Sequence, residues 1–95
     1  MNTTGKKGDN YEEKEYIVSI IENYAREIGI SVFNIRTMHI YISQFIDNEA
    51  YSNSMMLINY WHPIEILQNQ KSRDSCLSKV IKKSFKTTCV NYLRK

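Results

Sequence analysis

His39, His62, Cys76 and Cys89 are the residues of this sequence best suited to hold a metal or attack a substrate. Ligands that share one ion through a local turn stand about two to five residues apart, and no two of these four do. His39 sits in an otherwise apolar stretch, where a histidine with one satisfied ring nitrogen suits a core boundary. His62 precedes Pro63, a place where a helix ends. A nucleophilic cysteine also needs a base and an orienting acid. Cys89 stands among Lys83, Lys86 and Arg94, yet nothing nearby supplies the base or an oxyanion hole. Glycine-rich phosphate loops and paired carboxylates are missing, and Glu12, Glu13 and Glu15 read as a solvated first turn. The expectation is a protein that is not an enzyme, with no metal and no cofactor.

The charge distribution carries more. Residues 71–95 hold eight basic residues and one acid, Asp74, for a net +7, while residues 1–70 carry −4. Such asymmetry points to an anionic partner without constraining the fold. The stretch "LSKVIKKSFKTTCVNYLRK", residues 77–95, sets Lys79, Lys82, Lys83 and Lys86 opposite Leu77, Val80, Ile81, Phe85, Cys89 and Leu93 at helical spacing. That apolar stripe is no broader than a core-facing helix needs, and no tryptophan marks a lipid boundary, so a membrane surface is the weaker reading.

The elements that would position these residues follow from periodicity. At 95 residues, 42% hydrophobic and 24% charged, with three glycines and one proline, the chain fits one small domain and argues against a β sandwich. Residues 1–9 read as a mobile tail and 10–95 as a single helical domain with a basic C-terminal quarter, 71–95. Asn10 can cap a first helix whose stripe is Ile17, Ile20, Ile21, Tyr24 and Ile28, ended by Gly29 as a left-handed cap. "VFNIRTMHIYISQFI", residues 32–46, reads as a central buried helix, its β-branched content notwithstanding. After the polar break "DNEAYSNS" a short helix is expected over residues 53–60. "IEILQNQ" reads as another short helix, and Ser72 or Ser75 can cap the last. The fold class is therefore all-α, a compact bundle of four to five short helices.

The longest purely apolar run, residues 55–58, is far too short to span a bilayer, and the polar start "MNTTGKKGDN" is not a secretory signal. Two cysteines make no disulfide framework, so they read as reduced thiols in an intracellular protein, cytoplasmic or nucleoid/nuclear and not secreted.

Two stretches have helix-turn-helix spacing. In "YAREIGISVFNI" a small residue, Ala25, a turn glycine, Gly29, and an aliphatic, Ile35, meet the packing demands of such a unit. "SRDSCLSKVIKKSFKTTCVNYLRK" places Ser72 and Ser75 in a turn, then Leu77-Ser78-Lys79-Val80-Ile81-Lys82-Lys83, Phe85, Thr88 and Tyr92. Residues 72–95 resemble in this the last helix-turn-helix unit of AraC-type transcription regulators. They depart from it at Lys86, Cys89 and Gln70-Lys71.

The resemblance implies a small DNA-binding protein of transcription regulation. Its nucleic-acid-binding residues would be Arg73, Ser75, Ser78, Lys79, Lys82, Lys83, Lys86 and Arg94, some toward bases and the lysines toward phosphate. The alternative is a helical protein-protein interaction module, an adaptor, inhibitor or small subunit, using Met55, Met56, Tyr60 and Trp61. The partners expected are DNA or another polyanionic surface, or else a protein, with a homodimer among the options.

Overall fold

Side chains that alternate between two environments, one in and the next out, define strands, and alternation governs most of this chain. The computed structural model describes residues 15–94. Five strands run through them: β1 (Tyr16–Glu22), β2 (Glu27–Asn34), β3 (Ile40–Ile46), β4 (Glu65–Asn69) and β5 (Cys89–Leu93). Helix α1 (Ser52–Trp61) links β3 to β4, and α2 (Cys76–Ser84) links β4 to β5. The strands form one sheet in the order β3-β2-β1-β4-β5. The first three are an antiparallel meander. β4 lies parallel to β1, and β5 parallel to β4. Parallel neighbours cannot be joined by a tight hairpin and need a crossover, which is what the two helices supply.

Val18 and Ile20 of β1, Ile28, Ile30 and Val32 of β2, and Ile66 of β4 are buried on one face of the sheet. Ile58 of α1 and Leu77 and Ile81 of α2 meet them there. The core is thus one layer, with both helices on the same side. Each such side chain contributes roughly 1.5–3 kcal/mol on burial. The opposite face carries Ile17, Ser19, Ile21, Gly29, Ser31, Phe33 and Leu67, none of them buried.

Asparagines build the turns. Asn23 Oδ1 accepts from the backbone N–H of Ala25 and Glu27 between β1 and β2. Asn34 Oδ1 accepts from Arg36 and Thr37 in the β2–β3 hairpin. Asn48 serves Ala50 and Ser52, and Asn69 serves Lys71. A short side-chain acceptor stands in for a turn carbonyl in each case.

The structure corrects the all-α expectation. The helix expected to end at Gly29 is the hairpin β1–β2, and Gly29 lies inside β2 rather than at a cap. The central helix expected over residues 32–46 is the end of β2, a turn and β3. Ile17, Ile20 and Ile21 satisfy helical spacing only because β1 carries isoleucines on both faces of the sheet, and Ile28 falls in step with them from β2. β-branched side chains fit the pleated surface and lose rotamer freedom in a helix.

"IEILQNQ" is β4 and a 3-10 turn, Gln70–Ser72, so the helix needed before the turn of a helix-turn-helix unit is a strand. The other stretch fails too, since Ala25 stands in a hairpin turn and Gly29-Ile30-Ser31 in mid-strand. There is no helix-turn-helix among the described residues. Two expected helices are present: α1 matches residues 53–60 within a residue or two, and α2 starts where Ser75 caps it, accepting from Ser78 N–H at 3.1 Å. α2 stops at Ser84, and Cys89 and Leu93 belong to β5 instead of its apolar stripe. The expected tail, residues 1–9, and the cap at Asn10 lie outside the described residues.

Candidate interaction surface

β3 is an edge strand, and its backbone can be oriented residue by residue. Asn34 N–H donates to His39 O, and Asp47 N–H donates to Arg26 O. With the register Ile42↔Ser31 and Gln44↔Gly29, hydrogen-bonded pairs recur every second residue. Tyr41, Ser43 and Phe45 therefore bond inward to β2. Ile40, Ile42, Gln44 and Ile46 turn their N–H and C=O groups outward, and their side chains lie on the uncovered face of the sheet.

Three of those four are isoleucines exposed at 60% (Ile40), 78% (Ile42) and 68% (Ile46). Native edges are commonly blunted by lysine, proline or a bulge. Between Ile40 and Ile46 there is no charged residue and no proline.

The helix side of the same edge is apolar too. Phe45, Asn53, Met56, Leu57 and Tyr60 line a groove of about 360 Å³. Met56 and Tyr60 project from α1, 64% and 72% exposed. Of the four expected partner-binding residues, these two are open to solvent. Met55 is half-buried against the core. Trp61 is held among rings, stacked on Tyr41 at 5.0 Å between centroids and edge-on to Tyr16 and Tyr60. Missed in the sequence were Ile40, Ile42, Phe45 and Ile46, because a helical reading buries them. On the uncovered face, Ser19, Gly29 and Ser31 line a second groove, of about 290 Å³, together with Ile21 and Ile42.

The expected nucleic-acid residues divide into three groups. Ser75 is engaged in capping and also donates to Ser72 O at 2.7 Å. Ser78 is buried, its hydroxyl 2.7 Å from that of Tyr92. Arg73 and Lys82 rest on the Tyr92 ring, 5.0 and 5.3 Å from its centroid, as cation–π contacts. Lys79, Lys83, Lys86 and Arg94 are exposed. Lys83 and Lys86 join Asn59, His62, Thr87 and Thr88 around a polar hollow of about 460 Å³ beyond the C-terminal ends of both helices. Cations there also complement the negative helix termini.

Two polar clusters fix α1. Asp47 accepts from the N–H groups of Asn48, Asn53 and Ser54 and from the Ser54 hydroxyl. Burial pushes its pKa up, but these hydrogen bonds outweigh burial and leave it below the ordinary aspartate value. Tyr51 donates to the Glu22 carboxylate, and burial together with that bond and charge pushes its pKa up to about 12. Among the described residues no group of three or more His, Cys, Asp or Glu is placed to hold a metal. Cys76 and Cys89 are free and exposed. No helix of the described residues is long and apolar enough to cross a membrane.

No family model matches the chain. Over 60 residues it is 30% identical to the DNA mismatch repair protein MSH4 of Arabidopsis thaliana, a stretch covering 62% of this chain and 8% of that protein. The matched stretch spans less than a tenth of that relative's length.

Proposed function

We propose that this chain is a non-catalytic α/β docking domain that makes a protein contact in the setting of DNA mismatch repair. The observation that carries this is the apolar edge formed by Ile40, Ile42 and Ile46 on one side of β3 and by Phe45, Met56 and Tyr60 on the other. Contiguous exposed apolar surface of this kind marks association sites on small domains. The likeness of 60 residues to a mismatch repair protein supports the setting. Two exposed thiols suit a reducing intracellular compartment.

The test is binding of an apolar-surface fluorescent dye to the whole chain. Wild type should enhance dye fluorescence, and the pair Ile42→Lys with Met56→Lys should abolish most of the enhancement while circular dichroism stays unchanged. Lys83→Gln with Lys86→Gln should leave it intact. Absence of enhancement with wild type, diluted until light scattering shows the monomer, overturns the reading.

A second reading is a direct DNA contact. It is favoured by the +7 charge of residues 71–95 and by the exposed Lys79, Lys83, Lys86 and Arg94. These side chains would meet phosphate rather than base edges, since Ser75 and Ser78 are committed inside the domain.

A further inference from the structure

We propose that the occupant of the β3 edge is a second copy of this chain, paired antiparallel through β3 about a two-fold axis at Ser43. This inference rests on the docking reading above and adds the partner and its register. Only Ile40, Ile42, Gln44 and Ile46 present outward backbone groups, so only those four can exchange hydrogen bonds with an added strand. An axis at Ser43 sets Ile42 opposite Gln44 and Ile40 opposite Ile46, all four outward-bonding, and the ladder closes with no unmatched group. Between them Tyr41 falls opposite Phe45 on the helix side, an aromatic cross-strand pair of the kind that stabilises sheets. That pair lies beside the groove under Met56 and Tyr60, which the second copy would cover.

The charges agree with this register. β3 itself carries none, so no like charges meet along the strand. The opposite edge is less suited to self-pairing, because β5 has five residues and is flanked by Lys86 and Arg94. A two-fold contact of this type is isologous and closes as a dimer instead of growing into a fibre. The product is a continuous ten-stranded sheet with both helix layers on one side.

The test uses the whole chain and three readouts. Light scattering across a concentration series should show a mass rising from 11.3 kDa toward twice that value. Gln44→Pro removes one outward N–H and no bond to β2, and it should hold the chain monomeric at every concentration. In a Cys76→Ser, Cys89→Ser background, Ser43→Cys should form a disulfide with its own copy under mild oxidation. Opposed residues in a non-hydrogen-bonded antiparallel pair stand at bridging distance. Ile40→Cys, which faces Ile46, should not. A chain that stays monomeric and uncrosslinked while still enhancing dye fluorescence overturns the self-pairing and leaves the docking reading standing. Loss of both signals overturns both. A dimer that ignores Gln44→Pro and does not crosslink at residue 43 overturns this pairing as well.

Discussion

Asp47 and Ser54 are joined twice, the carboxylate Oδ2 accepting from the Ser54 backbone N–H and from its hydroxyl, both at 2.7 Å. Tyr51, the residue at the cap position of α1, makes no side-chain cap bond. Asp47 does the capping from further upstream, taking the N–H of Asn53 as well. The link connects the end of β3 to the first turn of the helix that packs over it. Asp47→Ala should therefore cost about 1–3 kcal/mol, through an uncapped helix start and a buried hydroxyl left without its acceptor. Chemical denaturation at neutral pH measures this. A loss below half a kcal/mol would show that water replaces the carboxylate.

The same carboxylate sets an acid limit. Its folded pKa lies below the ordinary aspartate value. Its contribution is therefore complete above that ordinary value and is lost as pH falls through the lower folded one. Wild type should lose stability on acidification below about pH 4, and Asp47→Asn should flatten that part of the profile. Parallel profiles for the two proteins would exclude Asp47 as the source.

Tyr51 acts at the other end of the scale. Its pKa is raised from the usual tyrosine value to about 12. Its share of stability is full below pH 10 and disappears as pH rises through about 12. Tyr51→Phe should remove this alkaline step, visible in melting temperature against pH. The variant should also lose some stability at neutral pH, because the bond to Glu22 goes with it. A step that persists in Tyr51→Phe would assign it elsewhere.

Gln68 is an uncompensated group. It lies on the core face of β4, 1% exposed, with neither its carbonyl nor its amide paired among the described residues. Leaving buried polar atoms unpaired costs about 1–3 kcal/mol. Gln68→Met keeps the volume without the polar atoms and should raise the melting temperature. A drop would mean that the amide has a partner in solution.

The lysines supply a prediction of a different kind. If the exposed cations of α2 and its following turn meet phosphate, affinity for random duplex should fall steeply between roughly 50 and 200 mM salt. Lys82→Gln, Lys83→Gln and Lys86→Gln together should abolish it. No complex at the lower salt removes the DNA reading and leaves the apolar edge unaffected.

Part of this was legible in the sequence. α1 shows itself by a polar break before it and Pro63 after it, and α2 by the Ser75 cap with Leu77 and Ile81 on one face. The sheet did not show itself through its first two strands, because β1 carries Val18 and Ile20 inward and Ile17 and Ile21 outward. Alternation of polar and apolar residues vanishes when both faces hold isoleucine. The usable signal was turn chemistry. Asn23, Asn34, Asn48 and Asn69 each sit at the end of an element or just past it and bind backbone N–H groups two or more residues on. Read as punctuation, they divide the supposed long helices into strand-length pieces. The apolar edge was partly legible, since Met56 and Tyr60 were expected to meet a partner. Its β3 half was hidden by the helical reading.

The stack of Tyr41 on Trp61 has a consequence for how β3 keeps its place. β3 is an uncharged edge strand with large apolar side chains on both of its faces, the kind prone to slide along its neighbour. A slip of one residue would turn Tyr41 and Phe45 to the uncovered face and drive isoleucines toward the helices. It would also pull Tyr41 off the indole, which Tyr16 and Tyr60 hold in position from two other sides. Trp61 thus serves as a detent for the strand, and its fluorescence should report any misregistered form of the sheet as an indole released into water.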